Sequence, residues 1–147
     1  MGSASHLIGF ESDTGPVSIV SNATPLPVNL VVASGGVLIP FTFARGGTLL
    51  TPQNPISVMV WRAPFACTVT AVKGFAKGAT GTTINARKNE ALTHLASDLT
   101  ISSTDAWLDG GAVQNQSYLV GDELEIMLTG IGGSPTQVAV QVEYARS

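Results

Sequence analysis

Two histidines, one cysteine, a short run of acids and a tryptophan set between aspartates are the residues whose types could do chemistry. His6 and His94 are the side chains that would act as bases near neutral pH, and a working base needs a hydrogen-bonded partner to orient it. His6 lies close to the N-terminus, and no carboxylate stands at an evident triad spacing from His94. Cys67 falls in the strand-like Cys67-Thr68-Val69-Thr70, where a thiol fills a small core position more readily than it attacks a substrate. Asp122, Glu123 and Glu125 gather three carboxylates, but no Asp-x-Asp-x-Asp-Gly loop accompanies them, and both glutamates share the outer side of an alternating segment. A Gly-x-Ser-x-Gly elbow, a Walker loop and a Gly-x-Gly-x-x-Gly turn are all missing. The expectation is a protein that is not an enzyme, with no catalytic residue, no cofactor and no metal site. Trp107, flanked by Asp105 and Asp109 and followed by Gly110-Gly111, leaves two uses open. It can stack on a sugar, which makes it a glycan candidate, or it can close the end of a barrel.

These residues sit in a chain with unusually little charge. The 147 residues, 15.1 kDa in mass, suit one domain with at most a short extra arm. Charged residues make up 12%, hydrophobic ones 44%, and the mean hydropathy is +0.31, whereas a typical soluble domain is about 25% charged. A compact monomer of this mass exposes about 7,000 Å², covered by only 7 basic and 10 acidic side chains. Much of that surface is therefore expected to meet protein or lipid. Lipid is excluded because the most apolar stretch, Leu30 to Phe43, is interrupted by Ser34-Gly35-Gly36 and Pro40, short of the roughly 20 residues of a membrane span. The first residues also lack the positive start and apolar run of an export signal. A net charge of −3 with scattered Lys and Arg argues against nucleic acid. A single cysteine forbids an intrachain disulfide.

The chain has two textures. Residues 1–55 are punctuated by Pro16, Pro25, Pro27, Pro40, Pro52 and Pro55, and between Thr14 and Ile56 the sole ionisable side chain is Arg45. Proline forbids long helices and central strands here. The richness in Val, Leu, Ile and Phe forbids a solvated tail. This segment reads as an extended arm lying on its own domain or on a neighbour, able to supply an edge strand. Its apolar residues Leu26, Val28, Leu30, Val32, Leu38, Phe41 and Phe43 are the candidate interface.

From residue 56 to 147 the pattern alternates with period two, as one-side-buried strands require. Val138, Val140, Val142 and Tyr144 fall on one face, and so do Leu124, Ile126 and Leu128. Further strands are expected at Ile56–Trp61, Cys67–Phe75, Thr82–Lys88, Asp98–Ile101 and Ala112–Asn115, with Asn89–Ala96 as the one helix-tolerant piece. Glycine-rich joints such as Asp109-Gly110-Gly111 and Gly130 to Pro135 separate them. The fold class is all-β: an antiparallel β-sandwich or jelly-roll barrel preceded by the N-terminal arm. Strict alternation puts Trp61 with Met59, opposite Val58 and Val60, so that neither face of that strand is polar. One of the two faces is core, and the other packs under the arm or against another subunit; Trp61 joins the interface candidates.

The run from Val58 to Ala145 resembles a recurring domain of tailed-bacteriophage structural proteins. The resemblance is carried by Trp61-Arg62-Ala63-Pro64 before Cys67 to Val72, by Thr82 to Asn89, by Gly121-Asp122-Glu123-Leu124-Glu125-Ile126, and by Gly133 to Val142. It implies a jelly-roll module of the kind found in capsid cement (decoration) proteins and in tail or head fibres. A short chain with an arm is more similar to the cement proteins. What this implies is a homotrimer on the outer surface of the phage head, partnered with the major capsid protein and assembled in the host cytoplasm, with neither nucleic acid nor membrane as partner. The alternative is a receptor- or glycan-binding module of a fibre.

Overall fold

The computed structural model describes residues 41–147, and every described element is β-strand or turn. The strands are β1 (Thr42–Leu50), β2 (Ile56–Arg62), β3 (Cys67–Lys77), β4 (Thr83–Lys88), β5 (Leu92–Thr93), β6 (Leu99–Thr100), β7 (Trp107–Asp109), β8 (Ser117–Tyr118), β9 (Glu123–Gly130) and β10 (Gln137–Arg146). They form two antiparallel five-stranded sheets. The first runs β1-β10-β3-β7, with β8 also on β3; the second runs β2-β9-β4-β5, with β6 also on β4. The pairs β5/β6 and β7/β8 each occupy one strand position in two short pieces. The chain thus crosses between sheets at almost every connection, giving the strand order of a jelly roll.

Alternation decides which side chains meet between the sheets. Val138, Val140, Val142 and Tyr144 of β10 and Leu124, Ile126 and Leu128 of β9 are buried on the shared inner face. Val69, Val72, Ala76, Ile84 and Ala86 join them from β3 and β4. Gly74 makes room in that layer, because a Cβ there would come within 2.5 Å of Ile101 Cδ1 and force that side chain to shift.

The stretch Thr42–Leu50, grouped by texture with the arm, is β1, paired with β10 of its own chain at nine positions. It directs Phe43 and Leu49 against the core. Leu26, Val28, Leu30, Val32 and Leu38 lie outside the described residues, as does His6.

Three expectations change. The register of β2 on β9 shifts between Met59 and Trp61, so a bulge separates Trp61 from Met59. Trp61 then packs on the core together with Val58 and Val60, while Met59 is exposed. A bulge adds one residue to one strand and flips the alternation beyond it. Asn89–Ala96 forms no helix: Asn89 and Glu90 have positive φ (51° and 60°), and β5 follows. The Asn89 side chain holds this turn by accepting from the Glu123 N–H (2.8 Å) and donating to Asp122 (2.8 Å). Ala112–Asn115 contributes one bridge, Val113 to Leu95, in place of a strand.

Candidate interaction surfaces

The residues singled out for chemistry are mostly structural. His94 is fully buried: Nδ1 lies 3.2 Å from the Gln114 carbonyl and Nε2 lies 2.8 Å from the Tyr118 hydroxyl. These partners assign the proton to Nδ1 and make Nε2 the acceptor of the Tyr118 O–H. Burial holds the imidazole below its ordinary pKa, the nearby Lys88 charge adds to this, and the Gln114 hydrogen bond opposes it. A sealed, fully engaged imidazole has nothing to offer a substrate. Cys67 is also buried, and burial together with the Asp122 charge pushes its thiol up, which disfavours the reactive thiolate.

The acidic run is divided among separate partners. Burial alone would raise the Asp122 carboxyl, but it sits below the ordinary value because the Leu119 N–H (2.9 Å), Asn89 and Lys88 (3.6 Å) all favour its charge. Glu125 pairs with Arg87 across the sheet. Among the described residues, no group of three or more His, Cys, Asp or Glu is placed to hold a metal.

One end of the sandwich exposes a group of apolar side chains beside the charged Arg62, Glu90 and Arg146. It gathers the start of β1, the ends of β2 and β10, and the loops that follow β2, β4 and β8. Three backbone hydrogen bonds fasten it: Arg146 N–H to Phe41 O (3.0 Å), Gly121 N–H to Ala63 O (2.7 Å) and Ala63 N–H to Asp122 O (2.7 Å). Exposed on it are Phe41 (56%), Leu119 (65%), Val120 (71%) and Leu92 (44%). Residues 1–40 join the β domain here, at Phe41. The hydrophobic loop tip Leu119-Val120 was missed from sequence, since two apolar residues before Gly121-Asp122 read equally well as a strand end.

Behind this end the aromatic rings converge. Phe43 stacks on Tyr144 (5.2 Å between centroids) and meets Trp61 and Phe65 edge-on at 5.7 and 5.5 Å. Arg45 lies over the Phe43 and Trp61 rings, and Arg146 over Phe65. Of the sequence-selected interface candidates, Phe41 is therefore on the surface, while Phe43 and Trp61 are half-buried in this cluster.

Trp107 is 49% exposed and does not plug the barrel. It stands on the outer face of the first sheet, opposite Phe75 in the β3–β7 register, with their rings 5.5 Å apart and tilted by 42°. Beside this pair is an open depression of about 430 Å³ reaching Thr48 and Gly46 on β1 and Gln137, Ala139 and Gln141 on β10.

No family model matches the chain, and the search of curated proteins returned no match. Among solved structures, the chain is similar to one described as "Cyanophage Pam1 capsid asymmetric unit", with 16% sequence identity and a TM-score of 0.51. The match covers 86% of this chain and 100% of the other. At that identity the likeness is one of fold: the two chains share this sandwich architecture.

Proposed function

We propose that the protein is a non-enzymatic virion structural protein, a capsid cement or decoration protein of a tailed phage. In this reading it is made in the host cytoplasm and sits as a homotrimer on the outer surface of the head, where it ties neighbouring major capsid subunits together. The observation that carries the proposal is the apolar group at one end of the sandwich, where Phe41, Leu119 and Val120 are exposed beside the point at which residues 1–40 join. A patch of this kind on a charge-poor chain expects protein against it. The arm, with Leu26, Val28, Leu30, Val32 and Leu38, would extend the same contact across a subunit junction. The fold likeness to a chain of a cyanophage capsid supports the assignment, as do the burial and full engagement of His94.

The physics suits the role. Three linked, individually weak contacts raise one another's effective concentration, so avidity replaces a single tight interface. Binding only the assembled shell then stabilises that shell by mass action. The test has two readouts. Light scattering on the purified chain should give a trimer, and a persistent monomer at micromolar concentration counts against the proposal. Co-sedimentation with the phage's expanded capsids should be strong for the full chain and lost when residues 2–40 are removed. Undiminished binding without them would sink the role given to the arm.

A further inference from the structure

We propose that the outer face of the first sheet carries a binding site for neutral saccharides, built on Trp107 and Phe75. This goes beyond the virion role and uses a different surface. Leu108 turns into the core, so its neighbour Trp107 projects outward and pairs with Phe75 of β3. The two rings form the wall of the depression, whose volume of about 430 Å³ lies within the usual range of small-ligand sites.

Its floor is made of small residues. Gly46 and Ala139 raise nothing above the sheet that would hold a flat ring away from it. Gly46 is needed for close approach to β10, because a Cβ there would lie 2.0 Å from the Val140 carbonyl oxygen. The rim supplies Thr48, Gln137 and Gln141, a hydroxyl and two carboxamides, each able both to donate and to accept. Sugar hydroxyls have the same dual character, and the C–H face of a sugar ring complements an aromatic face.

Charge narrows the ligand further. Among the described residues, Arg45 is the one ionisable side chain that lines the depression. Its guanidinium is already placed over the Phe43 and Trp61 rings (5.1 and 5.6 Å) and donates to the Ala44 carbonyl at 2.8 Å. The neighbouring Lys73 is paired with Glu143 at 2.8 Å. The site therefore offers no carboxylate to a cationic group, and its one cation is held by two aromatic rings and a backbone carbonyl, so an uncharged ligand fits it best. An extended peptide lying across the middle of the depression fits less well, since β10 there is already paired on both sides, with β1 and with β3, leaving side chains alone to bind.

The experiment is titration of the full chain with maltose, lactose, cellobiose and mannobiose, following the two Trp indole N–H resonances, together with a glycan array. At least one neutral sugar should shift the Trp107 resonance and leave that of Trp61 in place, with millimolar affinity, as expected for a shallow open site. Trp107→Ala and Phe75→Ala should each weaken that binding about tenfold, the size expected for losing one aromatic contact. Trp107→Phe should retain part of it, and Trp107→Ala should still melt in one cooperative transition, lowered by about 2–6 °C for the lost Phe75 contact. The proposal is overturned if no neutral saccharide moves the Trp107 resonance, if array binding survives in Trp107→Ala, or if only charged glycans bind.

Discussion

Replacing Tyr118 and Tyr144 one at a time by phenylalanine should move stability in opposite directions. Both rings are buried in the same aromatic cluster, 5.3 Å apart and edge to face, so each substitution removes one hydroxyl and leaves the packing in place. The hydroxyls differ in their partners. That of Tyr118 donates to His94 Nε2 at 2.8 Å, whereas that of Tyr144 is buried facing the Tyr118 hydroxyl and, among the described residues, makes no hydrogen bond of normal geometry. Tyr118→Phe would strand an imidazole nitrogen away from water, at a cost of about 1–3 kcal/mol. Tyr144→Phe removes a buried hydroxyl that makes no hydrogen bond of normal geometry, so it should be neutral or stabilising by about 1 kcal/mol. For a β domain of this size each kcal/mol moves Tm by about 4 °C. Tyr118→Phe should then melt about 4–12 °C lower, and Tyr144→Phe level with the parent or about 4 °C higher. Urea unfolding at neutral pH with unchanged slopes checks that both variants unfold from the same native state. If Tyr144→Phe loses as much stability as Tyr118→Phe, and the double variant is no worse than either, the hydroxyls act as one chain and the reasoning fails.

Further outcomes follow from other sites. Because burial depresses the pKa of His94 in the folded state, the unfolded chain takes up the proton first as pH falls. Stability should be level above about pH 6.5 and decline below it until the folded imidazole also titrates; a urea midpoint that stays flat between about pH 7.5 and 5 would contradict this. Removing residues 2–40 should leave a cooperatively melting β domain. Removing 2–55 also strips β1 with Phe43 and Leu49 from its nine-position pairing with β10, a loss on the order of 5 kcal/mol and comparable to total stability. Calorimetry on the pair tests this, and equal melting of the two truncations refutes it. Gly46→Ala should cost more than about 2 kcal/mol in urea titration, since its Cβ would meet the Val140 carbonyl at 2.0 Å. The double change Leu119→Ser and Val120→Ser, at side chains 65% and 71% exposed, should leave the fold within about 0.5 kcal/mol. It should nonetheless reduce capsid co-sedimentation sharply; unchanged sedimentation would remove the loop tip from the contact.

The long strands were legible because β9 and β10 keep strict period-two alternation with glycine-rich turns at their ends. Short strands were not. β5, β7 and β8 are two or three residues long and exist because β3 and β4 offer them ladders, which no local pattern announces. The inward turn of Trp61 was hidden for another reason: the bulge after Met59 is a property of the β2–β9 pair, and strict alternation carried across it gives the opposite face. β1 was masked by composition, since its Gly46-Gly47 and sparse charge match the proline-rich segment before it, while its partner β10 lies some hundred positions away. At the candidate surfaces, Trp107 was visible as an unpaired aromatic among turn residues. Phe75, Gln137 and Gln141 became its neighbours only through the β10-β3-β7 order.

The meeting of Phe41 and Arg146 decides how this domain can be engineered. Their backbone hydrogen bond puts the start of the β domain and its last strand at one end. A tag or cargo appended after Ser147 would leave from beside Leu119 and Val120 and compete sterically with whatever docks there. The turns at the other end, Lys77 to Thr80 and Gly132 to Pro135, join well-paired strands and carry no contact to that surface. Peptides inserted there would be presented away from it. On the proposed placement, these two turns are the positions for displaying foreign sequence on a decorated particle without loosening its attachment.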